Sequence, residues 1–210
     1  MKLTASCLLA LAGLAGAATA QADTIYSEGF DNLAASGWTL TNNSSPAGIS
    51  WFQGIIENFS AQAGADNSYA SANFNSTTAL AGSISNWLIS PEITLGGATS
   101  LSFYLRSAGT DGFQDAVNVY FHAGADSSTA SFSTPLTAIT AADGWTLYTI
   151  DLPSAATGRI AFEYAVGDAN NANLVGIDSV SISAVPEPST YLLMGLGLAG
   201  VGLLRRRASV

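Results

Sequence analysis

Between residues 24 and 183, apolar and polar residues alternate with a period of two, in short runs separated by Gly, Ser, Asn and Asp. Alternate side chains of a β-strand point to opposite faces of a sheet, whereas an amphipathic helix needs apolar residues every three or four positions. No helical period persists in this part of the chain. Strands that follow one another without helices cannot form a crossover-linked parallel sheet. The sequence therefore predicts an all-β domain, a jelly-roll-like antiparallel β-sandwich.

Three runs show the alternation most clearly, and each predicts a strand with one apolar face. Their apolar residues are Leu101, Phe103 and Leu105 in the first run, Val117, Val119 and Phe121 in the second, and Ile160, Phe162, Tyr164 and Val166 in the third. Further strands are expected at residues 68–74, 87–90 and 145–152. Linkers at residues 109–112, 124–131 and 168–173 are expected to form exposed loops.

Composition and charge limit the partners of this domain. The chain has 210 residues, of which 48% are apolar and 10% are charged, enough for one well-buried domain. Between residues 23 and 184, two arginines stand against fourteen acidic residues, which gives a net charge of −12. Such a surface is unsuited to nucleic acid or anionic lipid, and it leaves cations, neutral polysaccharides and proteins as partners. The single cysteine, Cys7, precedes the domain, so a disulfide or thiolate metal site is excluded there.

Residues 1–22 have the layout of a secretory signal peptide. Lys2 precedes an apolar core at residues 8–18, and small residues follow. Two small-x-small cleavage patterns end at Ala20 and Ala22, and the sequence does not decide between them. We expect the domain to occupy residues 23–184 of an exported chain.

Residues 185–210 form a second targeting segment. The sequence Val-Pro-Glu-Pro-Ser is followed by an uncharged, glycine-rich apolar stretch at residues 190–204 and by three arginines. The prolines favour an extended, accessible backbone. The apolar stretch is expected to enter the inner membrane as a short transmembrane helix, with the arginines on the cytoplasmic side and the domain outside. A permanent membrane anchor is the alternative, although the stretch is shorter than the roughly 20 residues that a comfortable span needs.

In this order, at the end of the chain, the three parts resemble the PEP-CTERM sorting signal. The resemblance implies recognition by an exosortase, a membrane transpeptidase-like protease of Gram-negative bacteria, and cleavage near the Pro-Glu-Pro motif. The recognition residues would be Pro186, Glu187, Pro188, Arg205, Arg206 and Arg207. Such sorting systems accompany exopolysaccharide, biofilm or floc production. The signal describes the route of the protein and not the task of its domain.

The order of short landmarks in the domain resembles the choice-of-anchor J group, which is related to cleaved-adhesin and MAM-type jelly-roll domains. The landmarks are Ser-Glu-Gly-Phe-Asp at residues 27–31, Gly-Trp at 37–38, Asn-Trp-Leu-Ile-Ser-Pro-Glu-Ile at 86–93, Gly-Trp at 144–145, Ile-Asp-Leu at 150–152 and Val-Gly-Ile-Asp-Ser-Val at 175–180. Each is weakly specific, and the ordered set carries the resemblance.

Two acidic residues are expected to face the apolar side of the sandwich. Asp178 shares its parity with Val180 and Ile182, and Glu28 shares its parity with Tyr26 and Phe30. A buried carboxylate needs a cation or several hydrogen bonds.

The resemblance implies that acids of the first and last strands take part in a calcium site. Glu28, Asp31 and Asp178 are the expected ligands of one structural Ca²⁺, since calcium prefers oxygen ligands. The alternative is a carboxylate bound by backbone amides, and Ser179 stands where relatives often have a second Asp.

Catalytic interpretations have little support in the sequence. His122 is the only histidine, and no Gly-x-Ser-x-Gly motif accompanies it. A glycosidase pair could be drawn from Asp111, Asp115, Asp151 and Glu163, but these acids alternate with positions that we expect at the surface. We expect no enzymatic activity.

Four tryptophans could either stack on sugar rings or fill the core. We expect Trp87 and Trp145 in the core. The sequence does not decide between core and surface for Trp38 and Trp51, which are the candidate ligand-binding residues. The expected function is an exported surface or extracellular-matrix protein with a role in adhesion or in the exopolysaccharide layer. A carbohydrate-binding module for the cell's own polysaccharide is the alternative, and a secreted glycoside hydrolase is a weaker one.

Overall fold

The computed structural model describes residues 22–185 and, beyond them, Gly197. The signal peptide, the membrane helix and the recognition residues Pro186 to Pro188 and Arg205 to Arg207 lie outside the described residues. Within residues 22–185, no helix is long and apolar enough to cross a membrane.

Ten strands and four single-turn 3₁₀ helices make up the described domain. The strands are β1 (Thr24–Glu28), β2 (Thr39–Asn42), β3 (Phe52–Gln53), β4 (Ala70–Asn73), β5 (Ile84–Ile89), β6 (Ile93–Ser107), β7 (Ala116–Ala123), β8 (Thr137–Thr140), β9 (Thr146–Val166) and β10 (Leu174–Ala184). The 3₁₀ helices are Leu33–Ala35, Phe74–Ser76, Thr129–Ser131 and Ala169–Asn171. The prediction of an all-β domain is confirmed.

All ladders between these strands are antiparallel, and they form one curled sheet with the path β2-β5-β9-β6-β10-β4-β3. β7 and β8 extend the sheet from β9, and β1 pairs with β10. The curl produces two layers. The front layer contains β8, β7, the second half of β9, β5 and β2, and the back layer contains the first half of β9, β6, β10, β1, β4 and β3. This arrangement is the predicted jelly-roll-like sandwich.

The strand β9 joins the two layers. Its residues up to Gly158 pair with β6, and its residues from Gly158 onwards pair with β7. A Cβ atom at Gly158 would lie 2.4 Å from the Phe121 ring, so glycine permits the close approach where the strand passes between layers. The sequence predicted two separate strands here, because the exposed middle of β9 interrupts the apolar alternation.

The main core lies between the layers and contains the three predicted apolar runs. Leu101, Phe103 and Leu105 are fully buried, as are Val117 and Val119. In the third run, Ile160, Phe162 and Tyr164 are fully buried and Val166 is nearly so. Phe121 is partly buried against the same core. The predicted alternation is therefore confirmed on all three strands.

Both ends of the described chain leave the same end of the sandwich. Thr24 pairs with Ser183, the Ala184 N–H donates to Asp23 O, and the Val185 N–H donates to Ala98 O. We call this the terminal end. β10 begins at the opposite end of the sandwich, where the loops at residues 43–49, 74–83 and 167–173 meet. We call that end the loop end.

Candidate functional site

Asp178 is fully buried and is bound by backbone amides. Its Oδ2 accepts hydrogen bonds from the Gln62 N–H at 2.8 Å and the Ala63 N–H at 3.1 Å, and its Oδ1 accepts from the Ser179 N–H. Burial raises the pKa of this carboxyl above its ordinary value, and the amide hydrogen bonds oppose that shift. Asp178 is thus the acceptor that attaches residues 62–63 to β10.

A β-bulge decides which way Asp178 points. The register between β10 and β6 shifts between Asp178 and Ser181, and Ser179 has a left-handed backbone with φ 50°. Asp178 pairs with Tyr104, whereas Ile177 pairs with the core residue Leu105. Directly paired side chains share a face, so Asp178 lies on the outer face of the back layer. The expectation that it shares a face with Val180 and Ile182 is wrong. The bulge inserts a residue between Asp178 and these positions, and a strict period of two does not predict such an insertion.

Glu28 and Asp178 face opposite sides of the back layer, and Asp31 lies next to Gly64 and Ser68. Glu28 pairs with Val180, which belongs to the core, and therefore faces the opposite side of the layer. Its Oε1 accepts from the Phe30 N–H at 2.6 Å. Asp31 is exposed, and its Oδ1 accepts from the Ser68 hydroxyl at 2.7 Å.

These positions bear on the calcium site that the sequence resemblance implies. Within residues 22–185, no group of three His, Cys, Asp or Glu residues is arranged to hold a metal ion. Both oxygens of Asp178 face N–H donors, which stabilise a carboxylate as a cation would. Calcium binding by Glu28, Asp31 and Asp178 stays a prediction of the sequence.

Residues 54–68 cover the outer face of the back layer, and we call them the cover segment. Phe59 packs on Tyr69 and Trp145 at ring-centroid distances of 4.8 Å and 5.5 Å. The Arg106 guanidinium lies 4.1 Å from the centre of the Phe59 ring, a cation–π contact. The Trp145 indole N–H donates to Ser60 O at 3.0 Å. Asp178 completes this attachment through the amides of residues 62 and 63.

Trp38 and Trp51, the two candidate ligand-binding tryptophans, are core residues. They are 7% and 3% exposed. The Trp38 indole N–H donates to the Tyr26 hydroxyl, and the Trp51 indole N–H donates to Asn86 O. Neither ring has a free face for a sugar. Trp87 is buried, but in a separate cluster with Tyr120 and Phe132 and not in the main core. Trp145 is half-buried beneath the cover segment.

A cleft of about 440 Å³ opens between β2 and β3, the two ends of the main strand path. Leu40 of β2 lines one side, and Phe52 and Gln53 of β3 line the other. The remaining lining residues are Asp31, Asn32, Leu33, Ala34, Trp51 and Asn67. We call it the edge cleft. Asp31 and Trp51 both line it, so two sequence candidates from different classes of site meet here.

Gln53 fixes the walls of the edge cleft. Its amide nitrogen donates to Phe30 O and to Asn67 O, and its amide oxygen accepts from the Leu33 N–H. Asn67 and Asn32 are exposed at the rim. Carboxylate and amide groups beside apolar walls are able to hydrogen-bond and orient a hydroxyl-rich ligand. No sequence pattern pointed to Gln53 or Asn67, because Gln53 lies on a two-residue strand and Asn67 in a loop.

Two further carboxylates are buried, against the expectation of surface positions. Asp115 accepts from the Ser107 hydroxyl at 2.7 Å, the Asn173 N–H at 2.7 Å and the Tyr164 hydroxyl. Glu163 accepts from Ser85, Asn118 and Tyr120. Tyr164 is in the main core, whereas Glu163 pairs with Asn118 on the other face of the same layer. The two acids therefore do not face each other across a common site.

The fold is that of an adhesin-type jelly roll. The K3 cleaved adhesin domain of Lys-gingipain from Porphyromonas gingivalis W83 superposes with a TM-score of 0.62 at 20% identity, over 79% of this chain and 100% of that domain. The K1 cleaved adhesin domain of the same protein gives 0.62 at 19% identity, over 77% and 98%. At these identities the similarity shows the fold alone. No curated protein sequence matches this chain significantly.

The C-terminal segment identifies the route of the protein. Residues 184–207 match the PEP-CTERM protein-sorting motif. The chain therefore carries the signal of an exported exosortase substrate, which is held transiently in the membrane before surface display. The prediction made from the Pro-Glu-Pro motif, the apolar stretch and the arginine cluster is confirmed to this extent.

Proposed function

We propose that this protein is a non-catalytic binding protein of the choice-of-anchor J type. In this proposal it is displayed at the surface, or released into the extracellular matrix, of a Gram-negative bacterium, and it acts in adhesion or in the exopolysaccharide layer of a biofilm. The observation that carries the proposal is the PEP-CTERM match directly after a folded β-domain. The fold and the ordered landmarks support the domain type. The edge cleft supports a binding role, because its polar groups are amides and one carboxylate without a neighbouring histidine.

The sorting step is tested by the mature C-terminus. In a host with an exosortase, mass spectrometry of the surface protein is expected to find a chain that ends near residues 186–188. Replacing Pro186, Glu187 and Pro188 with Ala is expected to leave the tail attached and the protein in the inner membrane. The control is Ser189→Ala, which leaves the motif intact. A native chain that keeps its tail at the surface would contradict processing.

The edge cleft favours a second candidate, a carbohydrate-binding module for the polysaccharide of the cell. Asp31, Asn32 and Asn67 would bind sugar hydroxyls, and Phe52 and Leu40 would contact the apolar face of a sugar ring. Asn67→Ala is expected to weaken binding of the processed protein to the host polysaccharide in a pull-down. The exposed Asn58 lies outside the cleft, so Asn58→Ala is the control. Equal binding by both variants and the wild type would remove the cleft from this role.

A further inference from the structure

The folded domain reaches the residue directly before the sorting motif. Val185 is still attached to the sheet, because its N–H donates to Ala98 O at 2.9 Å. The preceding residue is attached as well, since the Ala184 N–H donates to Asp23 O at 2.9 Å. Pro186 is the next residue of the chain. No linker therefore separates the sandwich from the Pro-Glu-Pro motif.

The chain between the domain and the membrane is also short. Four residues, 186–189, lie between Val185 and the apolar stretch at residues 190–204. The five Cα–Cα steps from Val185 to the stretch span at most roughly 18 Å. The lipid headgroup layer takes about 5–8 Å of that distance. When the tail is in the membrane, roughly 10 Å is left between the terminal end of the domain and the lipid, which is about the diameter of one α-helix.

Cleavage near residues 186–188 therefore takes place against the folded domain. Even in a fully extended chain, these residues lie within about 11 Å of Val185. Ala184 and Val185, on the other side of the motif, have their N–H groups engaged in the sheet. An enzyme cleft that holds an extended peptide uses the peptide's backbone groups, and here those of the domain are already in use. An enzyme that encloses the motif must abut the terminal end.

The surface of the terminal end beside the motif is uncharged. Residues 93–98 of β6 and residues 152–158 of β9 contain no Asp, Glu, Lys, Arg or His. Gly97 pairs with Ala155, and Ala98 accepts the hydrogen bond from the last residue of the domain, so both segments lie next to the motif. The Ala98 side chain is exposed and small. A protein surface is therefore able to approach here closely, without the repulsion that the acids of this domain would cause elsewhere.

We propose that the terminal end of the folded domain is a contact surface for the exosortase, which binds it together with the Pro-Glu-Pro motif. The inference rests on the proposed sorting and adds the part of the domain that the protease contacts. In this arrangement, cleavage requires that the exposed side chains beside Val185 stay small. It requires neither the edge cleft nor calcium.

Added bulk at the terminal end tests the proposal. In a host with an exosortase, Ala98→Trp is expected to slow processing about tenfold, since the larger side chain clashes with the docked protease. Pulse labelling, with mass spectrometry of the precursor and the mature chain, measures the rate. Ala47→Trp is the matched control, because it makes the same change at an exposed alanine of the loop end. It is expected to leave the rate unchanged.

A spacer distinguishes a steric clash from misfolding. Eight Gly and Ser residues inserted between Val185 and Pro186 add about 16 Å of flexible chain. This insertion is expected to restore the wild-type rate to Ala98→Trp, because the protease then clears the domain. A misfolded variant would not be rescued, and the thermal unfolding of each purified chain checks its fold.

The lipid surface is the other partner that added bulk would disturb. Processing is therefore repeated with precursor and exosortase solubilised in detergent, without a bilayer, where the slowing by Ala98→Trp is expected to persist. Three results would overturn the proposal: equal processing of Ala98→Trp and the wild type in cells, a slowing that the spacer does not relieve, or a difference that disappears in detergent. These results leave the proposed sorting intact, whereas a wild-type chain that is never processed would contradict both proposals.

Discussion

At the scale of single residues, this domain compensates its buried acids with hydrogen bonds. Asp178, Asp115 and Glu163 are buried, and each accepts at least three N–H or O–H hydrogen bonds. The domain has two arginines. Within residues 22–185, Arg106 forms one ion pair, with Asp143 at 3.6 Å. Donors from neighbouring strands and loops therefore perform the role that cations have in a less acidic protein.

Asp178→Ala is expected to lower the free energy of unfolding by roughly 2 kcal/mol, because it leaves the part-buried amides of Gln62 and Ala63 without their acceptor. The measurement is urea unfolding of the processed protein. Asp151→Ala, at an exposed position of β9, is the control and is expected to change stability by less than about 0.5 kcal/mol.

The same variant decides the calcium prediction. A bound calcium predicts a lower wild-type melting temperature in a chelator than in millimolar CaCl₂, whereas the amide contacts alone predict no difference. A chelator-dependent fall in the wild type that Asp178→Ala abolishes would establish that this carboxylate binds calcium.

Gly54→Ala is expected to destabilise the domain by about 1–3 kcal/mol, because a Cβ atom there would lie 2.2 Å from the Tyr69 ring. Gly167→Ala is the control, since its Cβ atom would meet nothing within 4 Å. Equal midpoints of thermal unfolding for the two variants would contradict this packing.

At the scale of elements, the cover segment is attached by side chains and has little regular structure of its own. Phe59, Tyr69 and Leu174 form a small cluster outside the main core, and Arg106 stacks on Phe59. Such a segment can open locally while the sandwich remains folded. Because Asn67 and Ser68 belong both to this segment and to the surroundings of Asp31, its attachment also shapes the edge cleft.

Phe59→Ala is therefore expected to increase proteolytic cleavage and amide hydrogen exchange within residues 54–68 more than elsewhere. The free energy of unfolding is expected to fall by about 3 kcal/mol, which is near the lower end of the range measured when buried phenylalanines are replaced by alanine. Phe113→Ala removes an exposed ring and is the control. Uniform acceleration of exchange across the domain would show that the segment does not open separately.

At the scale of the whole molecule, buried tyrosines link stability to alkaline pH. Burial raises the pKa of Tyr26 to about 12, and it also raises the pKa of Tyr69, Tyr120 and Tyr164. Glu163 and Asp115 add to this effect at Tyr120 and Tyr164, since each carboxylate accepts a hydrogen bond from the phenol hydroxyl and would repel a phenolate.

Above pH 10 the unfolded chain releases these protons while the folded domain keeps them, so stability falls as the pH rises. Each such tyrosine lowers the free energy of unfolding by at most about 1.4 kcal/mol per pH unit between its unfolded and folded pKa values, and by less where solvent screens the phenol. The measurement is urea unfolding from pH 8 to 12, with absorbance at 295 nm to follow ionisation. Tyr26→Phe is expected to reduce the slope between pH 10 and 12. A free energy of unfolding that is constant across this range would contradict the raised pKa values.

Much of the architecture followed from local patterns. Alternation located the three central strands because each has one face in the core and therefore follows a strict period of two. It did not identify β2, β3 and β8, which are short strands with few buried residues and therefore show little alternation. The alternation also predicted two strands where the structure has the single strand β9, because periodicity does not show that one strand continues through both layers.

The amino-acid sequence by itself determined the targeting segment and the class of the fold, because a sorting motif is read as a linear sequence and an alternating pattern has one period. The tertiary structure alone decided which side of the back layer Asp178 faces, which tryptophans are enclosed, and that Asp31, Gln53 and Asn67 line one cleft. Those properties depend on a bulge, on strand register and on contacts between residues far apart in the chain, and local sequence does not encode any of them separately.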